Sequence, residues 1–529
     1  MQRAYPAERH VLVIGAGIGG LAAALRLASR GVKVTVVERA AAPGGKLRQV
    51  GPGIDAGPTV FTMRWVFDEL FDAAGLRFED RVGLTPLGVL ARHAWRSGAR
   101  LDLHADRACS AAAIEAFAGA DEAGRFLGFC AQAERVLRAL EGPYIRAGRP
   151  SVASLGAGLG PRGLGALASL GPLRSLWSSL ARHFRDPRLQ QLFGRYATYC
   201  GSSPFEAPAT LMLIAQVEMD GVWSVAGGMH ALALATMRAA EERGARFVFG
   251  HEATQLVVRD GRAVGVRVAP VGEGARARTI DADAVVFNGD TAALAAGRLG
   301  AEAARAVPAA ARARSLSALT WCLQARTAGF PLARHTVFFD DDYASEFDDV
   351  FHRGRLPRRG TVYVCAQDRL GDEAPEGPER LLMLVNAPAL GDRGAPTEME
   401  IDACEKDRLA FLSDCGLRIE PSISTTRTGP IQFEALFPAT GGALYGRPSH
   451  GSINGWMSPF RRPGATSRLP GLMLAGGSVH PGAGVPMAAL SGRWAAEATM
   501  AHLASMRRSR PAATSGGTST HSATTAVTD

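Results

Sequence analysis

The run HVLVIGAGIGGLAAALRLASRGVKVTVVER, from His10 to Arg39, restricts what this chain can fold into more than any other stretch. His10 to Ile14 are short, apolar and largely β-branched, as in a parallel strand buried on both faces. Gly15, Gly17 and Gly20 follow in GxGxxG spacing, and residues 21–29 continue as a helix that Gly31 stops. Residues 32–37 read as a second strand, with Glu38 at its end. Glycines at those places permit a tight turn, close approach of the backbone to a pyrophosphate, and packing of the helix on the sheet. The helix N-terminus then faces negative phosphates, and Glu38 is placed to accept from ribose hydroxyls. A lone GxGxxG carries little weight; strand, helix, strand and acid arriving in register predict dinucleotide binding.

A second glycine turn narrows the dinucleotide. After Glu38 and Arg39 the chain reads AAAPGGKLRQV, with Pro43, Gly44, Gly45 and Lys46, and soon after GIDAGPTVFT. A plain nicotinamide domain has no use for that turn. The arrangement resembles the FAD-binding fingerprint of the amine oxidase and carotenoid desaturase superfamily. The resemblance implies a backbone passing along the flavin at Gly45, with Asp55, Gly57 and Pro58 near the ring. Lys46 reads equally as a ligand of phosphate or flavin and as a solvated loop cation.

The C-terminal run LPGLMLAGGSVHPGAGVPMAALSGRWAAEA resembles the closing FAD motif of carotenoid desaturases, with its HPGxGxP and SG. It predicts a last strand over 471–475 beside the first glycine loop, then a helix starting near Pro486. The positive end of that helix would stabilise charge developing on the N1–C2 carbonyl side of the ring. Gly477, Gly484, Val485 and Pro486 thereby join the expected cofactor set. Many flavoproteins carry an acid where Gly477 and Ser478 stand, and carotenoid desaturases commonly lack it. The loop contains no cysteine, so non-covalent FAD is expected. The middle stretch from Trp223 predicts a turn at Gly227–Gly228, a helix, a strand and an Asp260–Gly261 hairpin. The family uses it on the adenine side, near Ala253, and residues 281–290 read as a buried strand returning towards the flavin.

The expected architecture is α/β: a Rossmann-type FAD-binding domain, amine oxidase and phytoene desaturase-like, with an inserted mixed β-sheet plus helical substrate domain. The FAD-binding parts fall at 1–90, 223–294 and 461–506. A mostly helical insertion occupies 91–222, a mixed sheet occupies 295–460, and a disordered Ser/Thr/Ala-rich tail occupies 507–529. Seven scattered cysteines without CxxC spacing predict neither a metal site nor a disulfide framework. A net charge of +9 without interleaved aromatics points to an anionic membrane surface and away from nucleic acid. Residues 151–184, apolar and small-residue-rich with Arg162, Arg174 and Arg182, read as a membrane-contacting segment or as a loop plus a core helix. The glycines in residues 10–27 fit a globular start rather than an export signal, so the expected location is cytoplasmic, peripheral to the inner (photosynthetic) membrane.

Residues 55–75, 195–210 and 457–477 look most like the 1-hydroxycarotenoid 3,4-desaturases, also called methoxyneurosporene dehydrogenases. That resemblance implies loss of two hydrogens at C3–C4 of an acyclic hydroxycarotenoid, with oxygen or a quinone as electron acceptor. Candidate proton acceptors or charge stabilisers are His480, Tyr199 and Arg195. His480 reads equally as a structural hydrogen bond in a proline turn, and Arg195 as a helix-surface or domain-contact arginine. The alternatives are a phytoene or diapophytoene desaturase and, from another class, a non-catalytic isoprenoid-binding escort protein. A flavin amine oxidase would need a more polar site than these insertions offer.

Overall fold

Strand His10–Ile14 lies third of five in a parallel sheet. The order across the sheet is Leu472–Leu474, Ala284–Phe287, His10–Ile14, Lys33–Val37 and Arg246–Val248, so three distant parts of the chain share one ladder. The Val, Leu, Ile, Ala and Phe residues of the inner strands are buried on both faces, one under helices and the other under strands His251–Arg259 and Arg262–Pro270. The computed structural model describes residues 9–170, 174–272, 276–309, 313–371, 373–451 and 460–508.

Helix Ile18–Ala28 starts at Gly17 and buries nearly every residue, because it is held on both sides by other helices. One neighbour is His230–Glu242; the other is the last helix, Val485–Arg508. Backbones nearly touch at the second crossing. A Cβ at Gly492 would lie 2.1 Å from the Gly19 carbonyl oxygen, and one at Gly19 would lie 2.9 Å from that of Ala488. Glycine on each helix therefore sets the approach of the two chain ends, and no side chain can substitute there without separating them. Ser491 Oγ locks the joint, accepting from Gly476 N at 2.7 Å and donating to Ala488 O at 2.6 Å.

The second sheet has seven strands in the order Ser424–Thr428, Ser317–Ala325, Glu379–Ala387, Val362–Ala366, His335–Phe339, Val89–Trp95 and Arg100–His104. All neighbours are antiparallel except His335–Phe339 with Val89–Trp95. Five of its strands come from residues 295–460, where a mixed sheet is expected. The boundary expected at residue 90 falls inside Val89–Trp95, and the insertion expected to be mostly helical opens with two strands of this sheet. Polar residues disguise the first of them. Arg92 is buried yet forms a forked pair with Asp102 (2.8 and 2.7 Å), and buried His93 bonds the Leu101 carbonyl.

Helices follow over Ala120–Leu140, Val152–Ser169, Leu176–His183 and Pro187–Gly194. Phe126, Phe129, Phe184 and Phe193 interlock at their centre. Val152–Ser169 kinks at Gly160–Pro161, where the proline ring cannot continue the preceding turn. Among the described residues no helix is long and apolar enough to cross a membrane, and no His/Cys/Asp/Glu group could hold a metal ion. The tail expected from residue 507 begins as the end of the last helix, and residues 509–529 lie outside the described part.

Candidate active site

One cavity of about 1330 Å³ runs between the two sheets. At one end stand Glu38, Arg39 and Ala253; Gly17, Lys46 and Gly484 lie along it; and Tyr199, Glu218 and Phe347 line the other part. Two helix N-termini open onto it, Gly17–Ile18 of the first helix and Gly484–Pro486 of the last. Each presents first-turn N–H groups without helical partners and the positive end of a helix dipole.

Glu38 is fixed by its neighbours. Its Oε2 accepts from Ala16 N (2.6 Å) and its Oε1 from Ala40 N (2.8 Å), which ties the glycine turn to the end of the second strand. A carboxylate has further lone pairs, and those facing the cavity are available to vicinal hydroxyls. Arg39 lines the same end, with Nη1 donating to Ala435 O at 3.0 Å. Gly15, Gly45, Gly57, Pro58, Gly477 and Val485 also line the cavity. At Gly57 a Cβ would stand 1.8 Å from Lys46 O, so glycine lets the two cavity-lining segments run side by side. An elongated flavin dinucleotide fits this donor set, whose two helix N-termini suit anionic groups.

Lys46 is no solvated cation. Its ammonium donates to Leu444 O, stands 5.2 Å from the Phe437 ring centroid, and faces the cavity. Burial lowers its pKa, with Asp290 acting in the opposite direction. Two other expected cofactor residues lie behind the wall. Gly20 packs the helix onto the turn, since a Cβ there would be 2.1 Å from Gly15 O. The Asp55 carboxylate turns away from the cavity, accepting from Met229 N (2.6 Å) and His230 N (3.4 Å) at the start of helix His230–Glu242.

Of the three expected catalytic residues, the structure brings two together and sets the third apart. His480 is buried behind the cavity wall: its Nε2 donates to Ala147 O at 2.8 Å and its ring stands edge-on to Tyr144 at 4.9 Å. Its backbone N–H donates to Pro463 O at 2.9 Å, and burial lowers the imidazole pKa. It joins three segments of chain. Arg195 and Tyr199 lie on the apolar part of the cavity, one turn apart in the helical segment Arg195–Cys200.

A residue not anticipated from sequence completes their cluster. Glu218, on helix Leu213–Met219, accepts from Tyr199 Oη at Oε1 (2.8 Å) and from Arg195 Nη2 at Oε2 (3.3 Å). Tyr196 Oη also donates to Oε2, and Arg195 Nη1 donates to Tyr199 Oη. Burial works against the Arg195 charge, yet Tyr199, Glu218 and Tyr196 outweigh it and raise its pKa. Burial and Glu218, opposed by Arg195, raise the Tyr199 phenol above its ordinary value. A lone acid inside the apolar run LMLIAQVEM was the available signal for Glu218. A second polar chain reaches the same chamber, where Tyr363 Oη bonds Thr59 Oγ1 at 2.6 Å and His335 Nδ1 at 2.7 Å.

Comparison with known proteins agrees with this geometry. The family model described as flavin containing amine oxidoreductase matches residues 18–320. The chain is 61% identical to a hydroxyneurosporene desaturase of Rubrivivax gelatinosus, over 99% of each chain. It is 45% identical to a hydroxyneurosporene desaturase of Cereibacter sphaeroides, over 94% of this chain and 99% of that protein. A solved oxidoreductase from Methanosarcina mazei shares the fold at a TM-score of 0.58 and 17% identity, covering 92% of this chain and 100% of that one. The chain therefore belongs to the flavin-containing amine oxidoreductases and, within them, to the carotenoid desaturases.

Proposed function

We propose that this carotenoid desaturase uses non-covalent FAD to introduce the C3–C4 double bond into acyclic 1-hydroxycarotenoids of the hydroxyneurosporene type. The observation that carries the reading is one cavity that joins a dinucleotide cradle to an apolar chamber with buried polar groups on its wall. Bound flavin supplies the hydride acceptor for an otherwise inert allylic C–H bond. The protein's own part is to hold a long apolar chain, exclude water and fix which carbons face the ring. Leu155, Leu167, Ile214, Val217, Leu382 and Leu384 supply the apolar walls. The loop of residues 476–486 has no cysteine for a thioether link, which supports FAD held without a covalent bond.

Carotenoids dissolve in lipid, so the chamber is read as filling from a membrane surface. Helix Val152–Ser169 supports this: Val152 and Leu164 are 59% and 51% exposed, while Leu155 and Leu167 of the same helix line the cavity. Arg162, Arg174 and Arg182 are exposed on the same segment, as expected for attraction to anionic headgroups. Oxygen or a quinone is the final electron acceptor in this reading.

The test is incubation of the yellow holoprotein with defined carotenoids, followed by product spectra. The 1-hydroxy forms of neurosporene and lycopene should lose two hydrogens and absorb at longer wavelength, and phytoene should be untouched. Acid precipitation should release FAD into the supernatant. Stepwise conversion of phytoene would make the protein a phytoene desaturase, and a chain that stays colourless with added FAD would remove the flavin reading altogether.

A further inference from the structure

The reacting bond of a 1-hydroxycarotenoid lies close to its hydroxyl. At about 1.5 Å per bond, the oxygen on C1 stands only about 4 Å from C3. The group that recognises it must therefore sit beside the flavin and not at the far end of a tunnel. Tyr199 is the candidate, because it lines the same cavity as Gly57 and Pro58 and as Thr59, the next residue, whose Oγ1 bonds Tyr363 Oη at 2.6 Å.

The hydrogen-bond direction at Tyr199 is set from behind. Its one proton goes to Glu218 Oε1, and one of its two lone pairs takes a proton from Arg195 Nη1. What remains for the chamber is a single lone pair. The Glu218 carboxylate and the Arg195 guanidinium, both buried, hold this arrangement because neither can exchange its role as acceptor or donor. Resting on the hydroxycarotenoid reading above, we propose that Glu218 and Arg195 set Tyr199 as a pure hydrogen-bond acceptor, so that the site selects a substrate with a free hydroxyl and rejects its methyl ether. Tyr199 determines specificity, and Glu218 and Arg195 position it.

Glu218→Gln separates this polarity from simple bulk. Oε2 faces two donors (Tyr196 Oη and Arg195 Nη2) and Oε1 faces one, Tyr199 Oη. The amide oxygen of the variant takes the two-donor place, and its NH2 is left to donate to Tyr199. With both lone pairs filled, Tyr199 turns its own proton into the chamber, where an ether oxygen can accept it.

The experiment measures kcat/KM of the FAD-loaded protein for three substrates: 1-hydroxyneurosporene, its 1-methyl ether and neurosporene. Comparison within one protein cancels differences in folding and flavin content. Wild type should prefer the alcohol to the ether by about 10²-fold or more, since the ether brings no donor to a site built to receive one. Tyr199→Phe should reduce that ratio to within about tenfold. Glu218→Gln should reduce it likewise and also raise the absolute kcat/KM for the ether above wild type, which steric exclusion alone would not produce. Wild type that accepts the ether as readily as the alcohol overturns the proposal, as does an unchanged ratio in both variants. If wild type fails to prefer the alcohol to neurosporene itself, the hydroxycarotenoid reading falls, and the proposal with it.

Discussion

Gly17→Val separates loss of cofactor from loss of fold. Gly17 caps the first helix at φ −70° and ψ 166°, an extended conformation open to valine. A Cβ built there meets only the Asn288 side-chain amide, at 2.9 Å, and that amide is free to swing aside. The move breaks the Asn288 Nδ2 bond to Gly15 O (3.2 Å), a loss of about 1 kcal/mol, partly offset by the entropy valine removes from the unfolded chain. The protein should thus fold with little change in stability. The two γ-methyls, however, project from a residue on the cavity wall at the helix N-terminus, where a pyrophosphate would lie. Gly20→Ala should behave in the opposite way. Gly20 is off the wall, but its new Cβ would lie 2.1 Å from the Gly15 carbonyl oxygen, a backbone atom that cannot rotate away. Overpacking of this kind destabilises by about 1–3 kcal/mol. The assay pairs the urea midpoint of the flavin-free protein with the flavin absorbance of protein purified and refolded with FAD. Expected are a colourless, stable Gly17→Val and a destabilised Gly20→Ala that keeps colour when folded. A Gly17→Val protein carrying wild-type flavin content would refute the assignment of this turn to the pyrophosphate.

Three further outcomes follow from single features. Replacing Arg162, Arg174 and Arg182 by Glu should weaken pelleting with anionic liposomes, most strongly at low salt, because exposed charges are screened beyond about 8 Å at physiological ionic strength; unchanged pelleting of the folded, flavin-loaded variant would return residues 151–184 to an ordinary surface. Asp55→Ala leaves the buried Met229 N–H without its acceptor and should lower stability by about 2 kcal/mol in chemical denaturation, while Asp55→Asn, which keeps one acceptor oxygen, loses less; equal losses would contradict the capping role. His335 is buried, and burial lowers its pKa from 6.5 to about 3. The unfolded chain therefore binds a proton that the fold does not. The stability linked to His335 is complete above pH 6.5 and declines between 6.5 and 3 by about 1.4 kcal/mol per unit. His335→Gln should flatten that limb of the urea midpoint against pH, and an unaltered slope would show that His335 is accessible to protons.

Local spacing made most of the cofactor cradle legible. GxGxxG between two apolar strands has few places to go, and the strands, the helix and Glu38 stand where that register puts them. The hairpin is legible for the same reason: Asp260 and Gly261, at φ 49° and 69°, adopt the backbone that an Asp-Gly turn favours. Charges were harder to read. Arg195 on its own is indistinguishable from a surface arginine, and Glu218 from a solvated acid on a short helix. Their pairing across 23 positions, and the bond from Lys46 to Leu444 across 398, depend on where two sheets and a helical layer meet.

By itself the sequence determined the elements whose geometry depends on neighbours a few residues away: glycine turns, buried strands, capped helices and the dinucleotide fingerprint at both ends of the chain. Only the tertiary structure decided which side chains face the cavity. It turned Asp55 into a cap for helix His230–Glu242, set His480 behind the wall, and drew Lys46 inside. It also placed Glu218 against Tyr199. The physical reason is one of range. Backbone preference and hydrophobic period act within a turn or a strand, whereas the direction of a buried hydrogen bond depends on which distant group excludes water from it.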